Sequence, residues 1–159
     1  MRLATTDDAP QIVALFKGVA MEDRWIRTQW PFDETERLER IRAGIEDGPS
    51  VRIVAERGTK IVAQLGLFPD DSGVAYLGMM VDRSARGCGL GRRLMEFAER
   101  LAVEQGCAEL ALEVYAHNEA ALALYRRCGY AEFGERYAEE RRSGERFEVI
   151  RMAKRLSRR

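Results

Sequence analysis

The chain has 159 residues, and its 26 Lys+Arg balance 26 Asp+Glu to a formal net charge of zero. Apolar residues make up 46% and charged residues 33%, the composition of a folded chain with a core of its own and not of a disordered one. The even balance excludes a partner captured by the global field, so neither nucleic acid nor an anionic membrane is expected.

Residues 2–5 read as a short strand, and Thr6 or Asp7 can cap the helix that follows, with Pro10 tolerated in its first turn. Ile12, Leu15, Phe16 and Val19 then fall at helical spacing. Asp33 and Glu36 resemble a capping box for a second helix through Leu38, Ile41 and Ile45, which Gly48-Pro49 ends. Residues 51–55 and 61–65 read as strands joined through Gly58-Thr59-Lys60, a hairpin signal. After the turn at 70–73, residues 74–81 are apolar almost throughout and read as a buried strand.

The run Arg86-Gly87-Cys88-Gly89-Leu90-Gly91 then opens an amphipathic helix. Leu90, Leu94, Phe97, Ala98 and Leu101 share one face, Arg92, Arg93, Glu96 and Arg100 the other, and Gly106 closes it. Leu110, Leu112 and Val114 alternate with Glu109, Ala111 and Glu113 as in a strand. Asn118 is a good N-cap for a short helix through Tyr125, with Gly129 past its end. Residues 130–154 read as two strands around a polar loop at 139–146, and the basic run 154–159 reads as a frayed end. The pattern is that of one mixed α/β domain over residues 1–159.

No stretch approaches the roughly 18 consecutive apolar residues of a membrane span. The first residues lack the apolar segment of a signal peptide, and a cytoplasmic location is expected. Three cysteines, Cys88, Cys107 and Cys128, and one histidine, His117, make a zinc site hard to assemble, so no metal is expected.

The strand–glycine turn–helix at 74–101 carries the chemistry. Glycines between a strand and a helix leave several amides unpaired and pointing one way, and the helix dipole adds positive potential, which suits a phosphate or pyrophosphate. A dinucleotide GxGxxG would need glycine at 92, which is Arg, and the P-loop pattern is absent. The spacing present is R-x-x-G-x-G at Arg86, Gly89 and Gly91. With the downstream run Leu112-Glu113-Val114, Asn118, Ala121, Leu124-Tyr125 and Gly129-Tyr130, the chain resembles the GNAT superfamily of N-acetyltransferases over nearly its whole length, most weakly between 20 and 50. One departure is Arg83, where many members carry a proline that stiffens the turn.

The resemblance implies a central mixed, mostly antiparallel sheet of about seven strands, splayed between strands 4 and 5 and flanked by about four helices. It implies acetyl-coenzyme A as co-substrate, direct attack by an amine in a ternary complex, and a possible homodimer. Backbone amides of Gly87, Cys88, Gly89, Leu90, Gly91 and Arg92 would hold the pyrophosphate, with charge from the side chain of Arg86 or Arg92. Met79, Met80 and Val81 would offer backbone to the pantetheine arm and to the developing oxyanion. Asn118 caps its helix and can also touch the cofactor. Tyr125 would protonate the leaving thiolate: a thiol has pKa ~8.5 and a phenol ~10.

The amine must shed a proton, and the strand at 74–81, where many members keep an acid, has none. Glu113, twelve residues before Tyr125, matches the base of the protein N-terminal acetyltransferases of the family, against the plain reading of an exposed strand glutamate. His117 reads as a cap-side or surface residue. The acceptor, a small-molecule or peptide amine, would sit between residues 21–31 and the 139–146 loop, with Trp25, Trp30 and Phe32 as an apolar wall or as core. Two other functions stay open: a non-catalytic acyl-coenzyme A-binding module, motivated by the missing strand acid, and an acetyltransferase for antibiotics or amino acids.

Overall fold

A computed structural model describes residues 1–157. Its strands are β1 (Arg2–Leu3), β2 (Val51–Arg57), β3 (Lys60–Pro69), β4 (Val74–Val81), β5 (Glu109–Tyr115), β6 (Ala131–Glu132), β7 (Tyr137–Glu140) and β8 (Arg146–Arg155). They form one sheet in the order β1-β2-β3-β4-β5-β8-β6, with β7 also on β8. Four helices flank it: α1 (Ala9–Ala20), α2 (Glu34–Glu46), α3 (Leu90–Glu104) and α4 (Glu119–Arg127). The eighth strand, beyond the seven expected, is β6, whose two residues are too few to show any alternation.

Every strand pairing is antiparallel except β4 with β5. That parallel pairing covers only Val74↔Glu109, Ala75↔Leu110 and Tyr76↔Ala111, and from Leu77 and Leu112 onward the strands diverge. The splay between strands 4 and 5 is therefore present. Because side chains alternate across a strand, two cores form. Leu65, Leu77, Leu112 and Val114 pack with Leu94, Met95 and Tyr125 of α3 and α4. Val54 and Met80 pack on the opposite face with Ile12, Val13, Leu15 and Ile41 of α1 and α2.

Local chemistry explains the element ends, with two differences from expectation. The first cap is Thr5, one residue earlier than Thr6 or Asp7: a short 3₁₀ turn precedes α1, and the Asp8 carboxylate accepts from the Thr5 amide at 2.7 Å. Arg2 donates to both Asp8 oxygens, at 2.7 and 2.9 Å, so the strand stops at Leu3. At the other end, β8 runs to Arg155 where fraying from 154 was expected. Lys154 Nζ meets Glu99 at 2.8 Å, and the Leu156 amide donates to the Ala108 carbonyl at 2.8 Å. Residues 158 and 159 of that basic run lie outside the described residues. Asp33 caps α2 as expected, its carboxylate accepting from the Glu36 amide at 2.9 Å, while the Glu36 side chain turns to Arg40. No described helix is long and apolar enough to cross a membrane.

Candidate active site

The turn after β4 is built from backbone. Gly87 and Gly89 both adopt φ +78°, a left-handed conformation that side chains disfavour, and α3 starts at Leu90. The first bond into that helix is Arg93 N–H to the Gly89 carbonyl at 3.3 Å. Among the described residues, the amides of Gly87 through Arg92 have no protein partner. A fan of free donors at the positive end of a 15-residue helix fits a diphosphate. Where the family often has proline, Asp82 stiffens the turn instead, its carboxylate accepting from the Ser84 amide at 3.0 Å. Gly91 serves packing: a Cβ there would lie 2.8 Å from Leu124 Cδ2, so any larger residue makes the tip of Leu124 shift where α3 meets α4.

A cleft of about 1410 Å³ runs from this turn through the β4–β5 gap and out beneath α2. It exceeds the ~300–1,000 Å³ of an ordinary small-ligand pocket, leaving room for a large cofactor and a second substrate. Met79, Met80 and Val81 line it, on the stretch of β4 that β5 has left. Arg86, Gly87, Gly89, Leu90, Gly91, Arg92 and Asn118 line it too. Asn118 also caps α4, its side-chain oxygen accepting from the Ala121 amide at 3.2 Å.

Cys88 alone of the expected cofactor residues does not line the cleft, its thiol donating back to the Ala85 carbonyl at 3.0 Å. The Arg86 guanidinium departs from the role of a free phosphate-binding charge. It donates to both Glu22 oxygens, at 2.8 and 2.6 Å, and to the Val81 carbonyl at 3.0 Å, tying the turn to the loop after α1.

Tyr125 and Glu113 both line the cleft, from opposite sides of the sheet. Tyr125 lies in the α3–α4 core, 6% exposed, and burial, with a smaller contribution from Cys128, pushes its pKa up to about 12. Tyr76↔Ala111 pairing puts Ala111, Glu113 and Tyr115 on the α1–α2 face. Continuing that register would set Glu113 opposite Gly78 across the gap.

Glu113 accepts from the Tyr137 hydroxyl at 2.9 Å and is ion-paired to Arg27. Arg27 also meets Glu139 at 2.7 Å, and Glu139 accepts from the Tyr115 hydroxyl at 3.0 Å. Arg141, 3% exposed, donates to the Tyr115 oxygen at 2.8 Å and to the Ile26 carbonyl at 3.1 Å, and pairs with Asp23. Residues 21–31 and the 139–146 loop are thus brought together, but in unequal roles. Trp25, Ile26, Arg27 and Thr28 line the cleft, while Arg141, in the turn between β7 and β8 to which the expected 139–146 loop shrinks, holds Ile26 and Arg27 by their carbonyls from behind.

Of the expected apolar wall, Trp25 lines the cleft, whereas Trp30 and Phe32 pack edge to face on each other, ring centres 5.3 Å apart. His117, expected as a cap-side or surface residue, lines the cleft, where its Nε2 sits 2.7 Å from the Arg24 carbonyl oxygen and its ring stacks on Tyr115. Arg27, Tyr115, Tyr137, Glu139 and Arg141 belong to no local pattern, and a buried arginine inside a polar loop had no sequence signal. Among the described residues, no group of three or more His, Cys, Asp or Glu is placed to hold a metal ion.

The acetyltransferase (GNAT) family matches residues 19–130, more than half of the chain and all of the turn, the gap and Tyr125. The chain belongs to this GNAT family. An uncharacterised N-acetyltransferase of Bacillus subtilis, YhfO, is 30% identical over 138 residues, covering 83% of this chain and 89% of that protein. The crystal structure of a ribosomal-protein-alanine N-acetyltransferase from Brucella melitensis is similar at 27% identity and TM-score 0.82, covering 98% of each chain. A phosphinothricin acetyltransferase of Sinorhizobium meliloti, solved in complex with acetyl-coenzyme A, shares the fold at TM-score 0.86 and 16% identity, over 98% of this chain and 86% of that one. The GNAT fold thus accounts for the splayed sheet and the free-amide turn together.

Proposed function

We propose that this GNAT protein is an acetyl-coenzyme A-dependent N-acetyltransferase acting on a primary amine, with Tyr125 at the leaving sulfur and Glu113 as base. The observation that carries this reading is the union, in one cleft, of a free-amide turn, an open β4 edge, and a phenol and a carboxylate facing the gap from opposite sides. Acetyl-coenzyme A, when bound, supplies a thioester whose acetyl group passes directly to the amine in a ternary complex. Gly87–Arg92 amides bind the diphosphate, and the unpaired edge of β4 from Leu77 to Val81 offers backbone to the pantetheine amides and to the thioester oxygen.

Tyr125 keeps its proton at every working pH, because its pKa is about 12. A phenol pushed up by burial is a weaker acid than the leaving thiol, so it acts chiefly as a hydrogen-bond donor that stabilises the departing sulfur. Glu113 takes the amine proton on the other face, with Arg27 and Tyr137 fixing its orientation.

Calorimetry with acetyl-coenzyme A and a thiol-release assay across an amine panel test the proposal. Tyr125→Phe is expected to lower kcat about 100-fold with acetyl-coenzyme A affinity intact. Glu113→Gln is expected to lower kcat near neutrality and to recover above pH ~9, where the amine deprotonates unaided. Binding without turnover of any amine, and indifference to Tyr125→Phe, would favour the non-catalytic module.

A further inference from the structure

The cleft is far more basic than the chain. Seven arginines line it (27, 37, 40, 52, 86, 92 and 127) against two glutamates, Glu113 and Glu119, although the whole chain is neutral. Four of the seven are already paired with carboxylates: Arg27 with Glu113 and Glu139, Arg40 with Glu36, Arg86 with Glu22, and Arg92 with Glu96. Of the other three, Arg127 lies on the turn side at the end of α4, while Arg37 of α2 and Arg52 of β2 line the cleft within reach of each other's charge, and none of the three makes a salt bridge among the described residues.

Their surroundings are built, not incidental. Arg52 rises from β2, and its Nη1 donates at 3.0 Å to the side-chain oxygen of Gln64, itself 2% exposed. Its guanidinium lies over the Phe68 ring, 5.5 Å from the centre. Arg37 rises from α2 between Phe16 and Phe32, 4.6 and 4.5 Å from their ring centres, and its buried Nε has no partner. Burial and mutual repulsion push the Arg52 pKa down, in line with two like charges in reach of each other. Two half-buried guanidiniums, Arg52 held by a neutral amide and Arg37 near Glu36 and Arg40 but ion-paired to no carboxylate, are an unfavourable arrangement that an anion relieves.

The sheet register gives the span. Arg52, Gly66 and Gly78 lie in one row across β2, β3 and β4, all on the face that carries Glu113. A Cβ on Gly66 would sit 3.4 Å from Arg52 Nη1, so the guanidinium hangs over β3, about 5 Å from β4 by the usual strand spacing. Gly78 has open space above it, and continuing the β4–β5 register past its last pair would bring Glu113 opposite it across the gap. An amine beside Gly78 and Glu113 and an anion on Arg52 are therefore separated by the length of one small amino acid with its hydrogen bonds. The Phe68 ring lies over Gly66 on that path, 2.8 Å from where a Cβ would sit, and with Tyr76, 42% and 51% exposed, it gives the path an apolar floor.

We infer that Arg37 and Arg52 form an anion subsite for the acceptor, and that the acceptor is a primary amine carrying a carboxylate beside an apolar body. This inference rests on the acetyltransferase reading, and its test separates the two.

Matched pairs, each an apolar amino acid and its carboxamide, are assayed for acetylation and, independently, for direct binding to the protein by calorimetry. The acid is expected to be preferred about 100-fold in kcat/KM and to bind more tightly. Arg52→Met and Arg37→Met should each cut that preference about 10–100-fold, with Arg52→Lys partly restoring it. Acetyl-coenzyme A affinity should stay put and report folding.

Equal use of acid and amide, or a preference untouched by both arginine variants, overturns the inference while leaving the acetyltransferase reading standing. Absence of acetyl-coenzyme A binding overturns that reading instead. In that case the anion subsite still stands or falls on whether acids outbind amides in an Arg52-dependent way.

Discussion

The two halves of the cleft are made differently. The half around β4, α3 and α4 is backbone: free amides from Gly87 to Arg92, a strand edge that β5 has left, and glycines set by φ or by close approach. The half around the loop after α1, α2 and the β7–β8 hairpin is side chains: Arg27, Glu113, Glu139, Tyr115, Tyr137 and Arg141 in one network, Arg37 and Arg52 in another place. A diphosphate common to every reaction of the kind needs only donors in a fixed arc, which backbone provides whatever the side chains are. An acceptor that differs between relatives has to be read by side chains, which are free to change. Arg86 with Glu22 is the ionic tie that holds one half to the other.

The largest effect is expected at the backbone half. Gly89→Glu both forces a side chain into φ +78° and places a negative charge in the arc of amides, so acetyl-coenzyme A affinity should fall at least about 100-fold by calorimetry. Retained affinity would mean that side chains, not this turn, hold the diphosphate. In the other half, Arg141→Met strips the Tyr115 hydroxyl and the Ile26 and Arg27 carbonyls of their donor. Thermal unfolding should show a loss of about 2–4 kcal/mol and acceptor KM should rise, with acetyl-coenzyme A affinity little changed. Loss of cofactor affinity as well would erase the distinction between the halves.

Gly91→Ala presses a methyl against the tip of Leu124, a side chain able to shift, and about 1 kcal/mol of stability is the expected cost. Its effect should fall on cofactor binding rather than on the acceptor.

The smallest effect lies outside both halves. Arg2, first, and the Thr5 amide hold the Asp8 carboxyl down at about 2, against an ordinary 3.8. A carboxyl depressed on folding contributes stability above pH ~4, and that contribution fades as pH falls toward 2. Asp8→Asn should therefore lower stability by about 1–2 kcal/mol at pH 7 in denaturant melts, and the gap to the parent should narrow below pH ~4 and close toward pH ~2.

Much of the backbone half is legible in the sequence. The bounds 74–81, the capping residue Asn118 and the turn glycines all come from local rules, because propensity, caps and positive φ act within a few residues. The strand at 74–81 is the instructive partial miss. Its apolar run suggests full burial, yet Tyr76 is half exposed and Gly78 open, since that wall faces a cleft. The polar loop at 139–146 looks uninformative by charge, but Arg141 within it is buried and braces residues 23–27. Arg52 stands in an apolar strand, and only the register with Gly66 and Gly78 turns that oddity into a place in the cleft.

The family resemblance, the order of the elements and the free-amide turn follow from the chain alone, because each is written in residues close together along it. Which charges are spoken for depends on how the chain folds back on itself. Glu22 with Arg86, Glu113 with Arg27, and Arg37 beside Arg52 join residues far apart in the chain, and a net charge of zero says nothing about where the unpaired arginines collect. Coulomb and hydrogen-bond energies depend on distance in space, and the splayed sheet sets those distances.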